Sequence, residues 1–123
     1  MYNILIADAD VDAWFQVNSL LRRYLVKASF VNNLGVARQY IDKDAPALLF
    51  VDKQLLDNSF KDFIGYVKSK CPLIKVIMIN GVDNTAKRLY ASADLVISRP
   101  ILPEMIERAL LKMAYPSLQR LSI

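Results

Sequence analysis

The sequence predicts a doubly wound α/β fold, with five parallel strands in the order 2-1-3-4-5 and five helices alternating with them. Three observations predict it. Short apolar runs bounded by polar residues recur along the chain, the pattern of strands buried on both faces. Amphipathic stretches separate them, as crossovers between parallel neighbours require. Two of the runs, Ile4-Leu5-Ile6-Ala7-Asp8 and Leu48-Leu49-Phe50-Val51-Asp52, end in a carboxylate. Right-handed crossovers with one reversal give the stated order and gather the strand C-terminal ends at one crevice, where Asp8 and Asp52 would meet.

The elements follow in order. Strand one is expected over Tyr2–Ala7, and a helix over roughly Asp12–Leu25, where Val17, Leu20, Leu21, Tyr24 and Leu25 recur at helical spacing. Asp10 or Asp12 can cap it. A brief strand, Ala28–Val31, precedes a short helix, Leu34–Ile41, capped by Asn32 or Asn33. Pro46 separates that helix from strand three, Ala47–Val51. Asn58 or Ser59 opens a helix near Phe60–Lys70, with Phe60, Phe63, Ile64 and Val67 inward, and Pro72 stops it. Strand four is Lys75–Ile79. Asn80-Gly81 reads as a turn, and Asp83 or Asn84 caps a helix running to about Ser92. Strand five is Leu95–Ser98. Pro103 begins the last helix at a tolerated first-turn position, with Met105, Ile106, Ala109, Leu110 and Met113 as its apolar stripe.

Composition bounds the function. The chain has 123 residues, read as one domain with a core at residues 2–113 and a tail at 114–123. Hydrophobic residues make up 54% of it, which excludes disorder. No apolar run approaches the roughly 20 residues of a membrane helix, and the first residues lack a signal-peptide pattern. A single cysteine, Cys71, makes no internal disulfide, so a reducing, cytoplasmic setting is expected and the thiol reads as inert. Net charge is +4, but the basic residues are dispersed, so a nucleic-acid footprint is not expected of this domain alone. There is no histidine, which excludes His-based acid–base chemistry, His metal ligation and a phosphohistidine role.

Two strand-end carboxylates at a reversal point suit a hard cation, phosphoryl chemistry, or both. The arrangement resembles the receiver domain of bacterial response regulators, a flavodoxin-like fold, over about Tyr2 to Met113. Ile4–Asp10 stands where that family has a strand and an acidic cluster. Asp52 stands at the phosphoacceptor, Ala91-Ser92-Ala93-Asp94 at its Ala-x-Gly-Ala-Asp turn, and Arg99-Pro100 at its Lys-Pro. The resemblance implies a phosphoryl group received by Asp52, Mg²⁺ held by acidic residues after strand one, and contacts to the phosphoryl oxygens from the ends of strands four and five. It also implies a sensor kinase or phosphotransfer protein as partner. A protein partner would bind the face of the last strand and last two helices, and the apolar last helix allows a homodimer.

The departures from that pattern are specific. Ala9 takes the second acidic position, leaving Asp8, Asp10 and Asp52 as a weak Mg²⁺ set. Asn80 replaces the Thr or Ser, Arg99 replaces the Lys, and Val96 replaces the aromatic switch residue. Leu55-Leu56 replaces Met-Pro, and Phe60 replaces a Gly. Mg²⁺ wants near-octahedral oxygen ligands, so a lost carboxylate removes much of the hold. Arg99 keeps the charge but offers a planar fork, which fits a carboxylate bidentately, and is expected to bridge to Asp52 or Asp8 without metal. Trp14 is expected to pack near the pocket rather than bind a ligand.

Three functions compete at this stage. One is an atypical receiver that signals through protein contacts with weak or no Asp52 phosphorylation. The second is a working phosphorelay receiver with Asn80 and Arg99 as its supporting shell. The third is an α/β enzyme using Asp8 and Asp52 as nucleophile and acid, as haloacid-type phosphatases do; Asp8-x-Asp10 resembles their paired Asp motif, but those enzymes need a further Lys, a second acidic cluster and usually a cap domain. The first is preferred, and catalysis is limited to self-phosphorylation and dephosphorylation at Asp52.

Overall fold

The structure, a computed structural model, describes residues 2–56, 60–80 and 93–114. Five parallel strands form one sheet in the order expected, β2-β1-β3-β4-β5. They are β1 (Tyr2–Ala7), β2 (Val26–Val31), β3 (Leu48–Asp52), β4 (Lys75–Asn80) and β5 (Leu95–Ser98). The helices described are α1 (Phe15–Leu21), α2 (Leu34–Lys43), α3 (Lys53–Leu56), α4 (Phe60–Lys70) and α5 (Pro103–Ala114). A 3₁₀ turn, Val11–Trp14, leads into α1. The helix expected to end near Ser92, the Asn58 or Ser59 cap and the tail at 115–123 lie outside the described residues, as does the side chain of Phe60.

Alternation along the central strands makes two cores. Leu5, Ala7, Leu49, Val51, Val76 and Met78 face one way, against Ala37 and Ile41 of α2 and Phe63, Ile64 and Val67 of α4. Ile4, Ile6, Leu48, Phe50, Ile77 and Ile79 face the other, against Val17, Leu20 and Leu21 of α1 and Ile106, Ala109 and Leu110 of α5. Every residue of β3 is buried, which is why that run carries no polar residue before Asp52. Each fully buried Leu, Ile, Val or Phe contributes about 1.5–3 kcal/mol by leaving water.

Several boundaries differ from the periodicity. The first helix ends at Leu21 rather than Leu25, because the sheet claims the chain. The Leu25 carbonyl accepts from the Tyr2 amide at 3.2 Å, and Tyr2 pairs in register with Val26. So β2 begins two residues before the expected Ala28, and Leu25 is exposed. Tyr24 stays buried, its hydroxyl donating to Glu107 of α5 at 2.8 Å. Strand three is Leu48–Asp52 rather than Ala47–Val51, and α2 runs two residues past Ile41. Asn33 is the cap of α2, its Oδ1 accepting from the Val36 amide at 2.8 Å. The short α3 directly after Asp52 has no counterpart in the sequence periodicity.

Candidate functional site

The pocket is built by strand register. Ala7 of β1 pairs with Val51 of β3, so the next residue of each strand, Asp8 and Asp52, emerges side by side. The Asp8 amide continues the β2 ladder by donating to the Val31 carbonyl at 3.0 Å. Both acids are buried, at 1% and 2% exposure. Buried carboxylates demand donors, and each has them. Asp8 Oδ1 accepts from the Asp10 amide at 3.0 Å, and Asp52 Oδ1 from the Gln54 amide at 3.1 Å.

Arg99 closes the pocket. Its Nη2 lies 2.6 Å from Asp8 Oδ2 and 2.9 Å from Asp52 Oδ2. One guanidinium nitrogen therefore serves both carboxylates, where the sequence leads to a bridge to Asp52 or to Asp8. The residue follows β5, its amide donates to the Asn80 carbonyl at 3.1 Å, and the Arg99–Pro100 peptide is cis. The charge is thus delivered from the end of the neighbouring strand pair, with the side chain 24% exposed.

Trp14 supplies the contact that sequence reasoning missed. Its indole Nε1 donates to Asp8 Oδ2 at 2.7 Å. The ring is buried and stands edge-on to Phe50, centroids 5.3 Å apart, and to Phe30 at 6.4 Å. The signal was available: a buried indole N–H needs an acceptor, and Asp8 lies six residues upstream.

The other sequence candidates separate. Asn80 is buried at the end of β4, one residue beyond the Asp52–Ile79 pairing, and its carbonyl accepts from the Arg99 amide. Asp10 does not turn inward: it is exposed, and its Oδ1 caps the 3₁₀ turn by accepting from the Ala13 amide at 3.3 Å. Of the sequence-derived set, the structure brings together Asp8, Asp52, Arg99 and Asn80, and leaves Asp10 at the rim as a cap.

The electrostatics follow from burial. Desolvation pushes the Asp52 carboxyl above its ordinary value, and the Asp8 charge adds to it. The Gln54 amide and Arg99 oppose both without reversing them. For Arg99, burial pulls the pKa down, but the hydrogen bonds and charges of Asp8 and Asp52 outweigh it and hold the guanidinium more firmly protonated than usual.

Mg²⁺, which the sequence resemblance implies, does not fit this donor set. Asp8 Oδ2 and Asp52 Oδ2 both already accept from Arg99 Nη2. A guanidinium sits between the two acids, and Asp10 is engaged elsewhere. Among the described residues no group of three or more acidic or cysteine side chains is arranged to hold a metal ion. An octahedral ion would have to displace Arg99.

No protein-family model matches the sequence, and no curated protein matches it either. Solved structures match its fold. A two-component response regulator from Clostridium difficile superposes with a TM-score of 0.80 at 16% identity, over 95% of this chain and 98% of that one. A CheY-like response regulator receiver domain protein from Methanospirillum hungatei gives 0.76 at 22% identity, over 92% and 94%. NtrX from Brucella abortus gives 0.72 at 26% identity, with 92% of this chain covering 27% of NtrX. The chain has the receiver-domain fold.

Proposed function

We propose that this chain is a signal-transduction module that acts through protein–protein contacts, with little or no phosphoryl transfer at Asp52. The observation that carries this reading is the single Arg99 nitrogen bridging Asp8 and Asp52. Phosphoryl transfer to a carboxylate relies on positioning and on neutralising the charge of the incoming group, chiefly by metal ions. Here Asp52 Oδ2 is pinned by the guanidinium and Oδ1 by the Gln54 amide. We assign Asp52 the acceptor position, with Asn80 and Arg99 as its flanking groups and Asp8 as the second acid of a pocket that is a poor Mg²⁺ site, Asp10 standing at its rim as a cap.

The partner is a protein, and the face we assign to it is that of β5 and α5, where Leu102 and Leu111 are exposed at 50% and 46%. Among the described residues no helix is long and apolar enough to cross a membrane. The test is intact-mass analysis after incubation with Mg²⁺ and a small acyl phosphate. Unchanged mass is expected. A single added phosphoryl group that disappears in Asp52→Asn would overturn the reading in favour of a working phosphorelay receiver.

A further inference from the structure

We infer that the Arg99 guanidinium is the resident cation of this pocket, standing between Asp8 and Asp52 where a divalent ion would otherwise bind, so that the pocket is complete without metal and removing the guanidinium uncovers a divalent-cation site. The inference rests on the reading of the pocket given above and concerns what governs its occupancy.

Three observations converge. The geometry is that of a shared ligand, with one nitrogen at 2.6 Å from Asp8 and 2.9 Å from Asp52. The acids are almost wholly buried, so their charges cannot be left to solvent and some cation must answer them. Both carboxylates are held in place by donors other than Arg99: Trp14 Nε1 and the Asp10 amide on Asp8, and the Gln54 amide on Asp52. Hard oxygen donors fixed this way remain a suitable face for Mg²⁺ or Mn²⁺ once the guanidinium is gone. With Arg99 present, two carboxylates and one guanidinium carry a net charge of about −1; without it, about −2. Even at the dielectric of water, a unit positive charge about 5 Å away weakens binding of a divalent ion by about tenfold.

The test uses the full chain, stripped with chelator, with Mg²⁺ or Mn²⁺ as the titrant. Thermal melting and the fluorescence of Trp14, the single tryptophan, are the readouts. Wild type should melt at the same temperature in chelator and in millimolar Mg²⁺. Arg99→Ala should melt lower in chelator, recover on adding the divalent ion, and bind it at least about tenfold more tightly than wild type. Adding Asp8→Asn should abolish that gain. Arg99→Met keeps most of the apolar stem and loses only the charged head, so it carries the same comparison if the alanine variant does not fold. Equal divalent affinity in wild type and variant, or a folded Arg99→Met with no divalent response, overturns the inference. Phosphoryl labelling of wild-type Asp52 would retire the proposed function and leave this comparison standing. A silent Arg99→Met would retire the inference and leave that function standing.

Discussion

Asp52 shows how burial and charge divide the work at one side chain. Its folded-state pKa is raised above the ordinary value near 3.8, first by desolvation. A raised carboxyl pKa means the group's contribution to stability is full below the unfolded pKa and is lost as pH climbs through the folded one. Ionising Asp52 therefore carries a cost, beside an Asp8 that shares the same guanidinium. Asp52→Asn removes that ionisation cost and leaves Arg99 paired with Asp8, so it is expected to be neutral or stabilising near pH 7. That gain should shrink as pH falls through the raised folded-state pKa, where the wild-type carboxyl itself takes up its proton. Melting temperatures of the two proteins across that pH range check this, and a variant destabilised at neutral pH would contradict it. The positions of Asp8, Asp52 and Arg99 were legible in the sequence because each sits at a strand end. The sharing of one nitrogen and the indole donor on Asp8 were not, because both depend on how Trp14 packs against Phe50 and Phe30.

Among the elements, the junction of β4, β5 and α4 hangs on Asp94, just before β5. Its Oδ2 accepts from the Val76 amide at 2.7 Å and from Lys68 Nζ of α4 at 2.8 Å, while its own amide donates to the Val76 carbonyl at 2.8 Å. Burial tends to raise its pKa, but the Lys68 and Val76 hydrogen bonds prevail and hold it below the ordinary carboxyl range. The sign here is opposite to that of Asp52: the stability is present above the unfolded pKa and lost as pH falls through the folded one. Asp94→Ala, which leaves the Val76 amide without its side-chain acceptor, should cost about 1–3 kcal/mol near pH 7. Urea titrations should show that difference fading in acid; a penalty that persists there would assign it to packing instead. The sequence marked this residue only as part of a turn that resembles a family pattern. Periodicity likewise overran the first helix, since nothing in residues 22–25 announces that the sheet will capture the Leu25 carbonyl. Where boundaries were read well, as for β5 at Leu95–Ser98, a proline or a polar break follows closely.

Over the whole molecule, the two apolar layers are opposite faces of one sheet, and neither survives without the strands they share. Unfolding should accordingly be a single transition. Trp14 fluorescence reports one face, and far-UV circular dichroism reports helices on both. Their urea midpoints are expected to coincide, and a separation would mean that one layer melts alone. Strand order was readable at this scale because wholly apolar runs exclude an exposed antiparallel sheet and handedness prunes the rest. Which helix covers which face followed from alternation within β1, β3 and β4 once the register was set.

The complete burial of β3 also bears on how this protein is made. Leu48 to Val51 leave the ribosome before Lys75–Asn80 does, so one edge of a sticky, β-prone tetrapeptide waits for a partner that has not yet emerged. Asp42-Lys43-Asp44 upstream, and Asp52 and Lys53 downstream, place charge near it as gatekeepers against aggregation. Substitutions that slow the arrival of β4 would then show up first as inclusion bodies and chaperone dependence, in molecules whose finished architecture is unaltered.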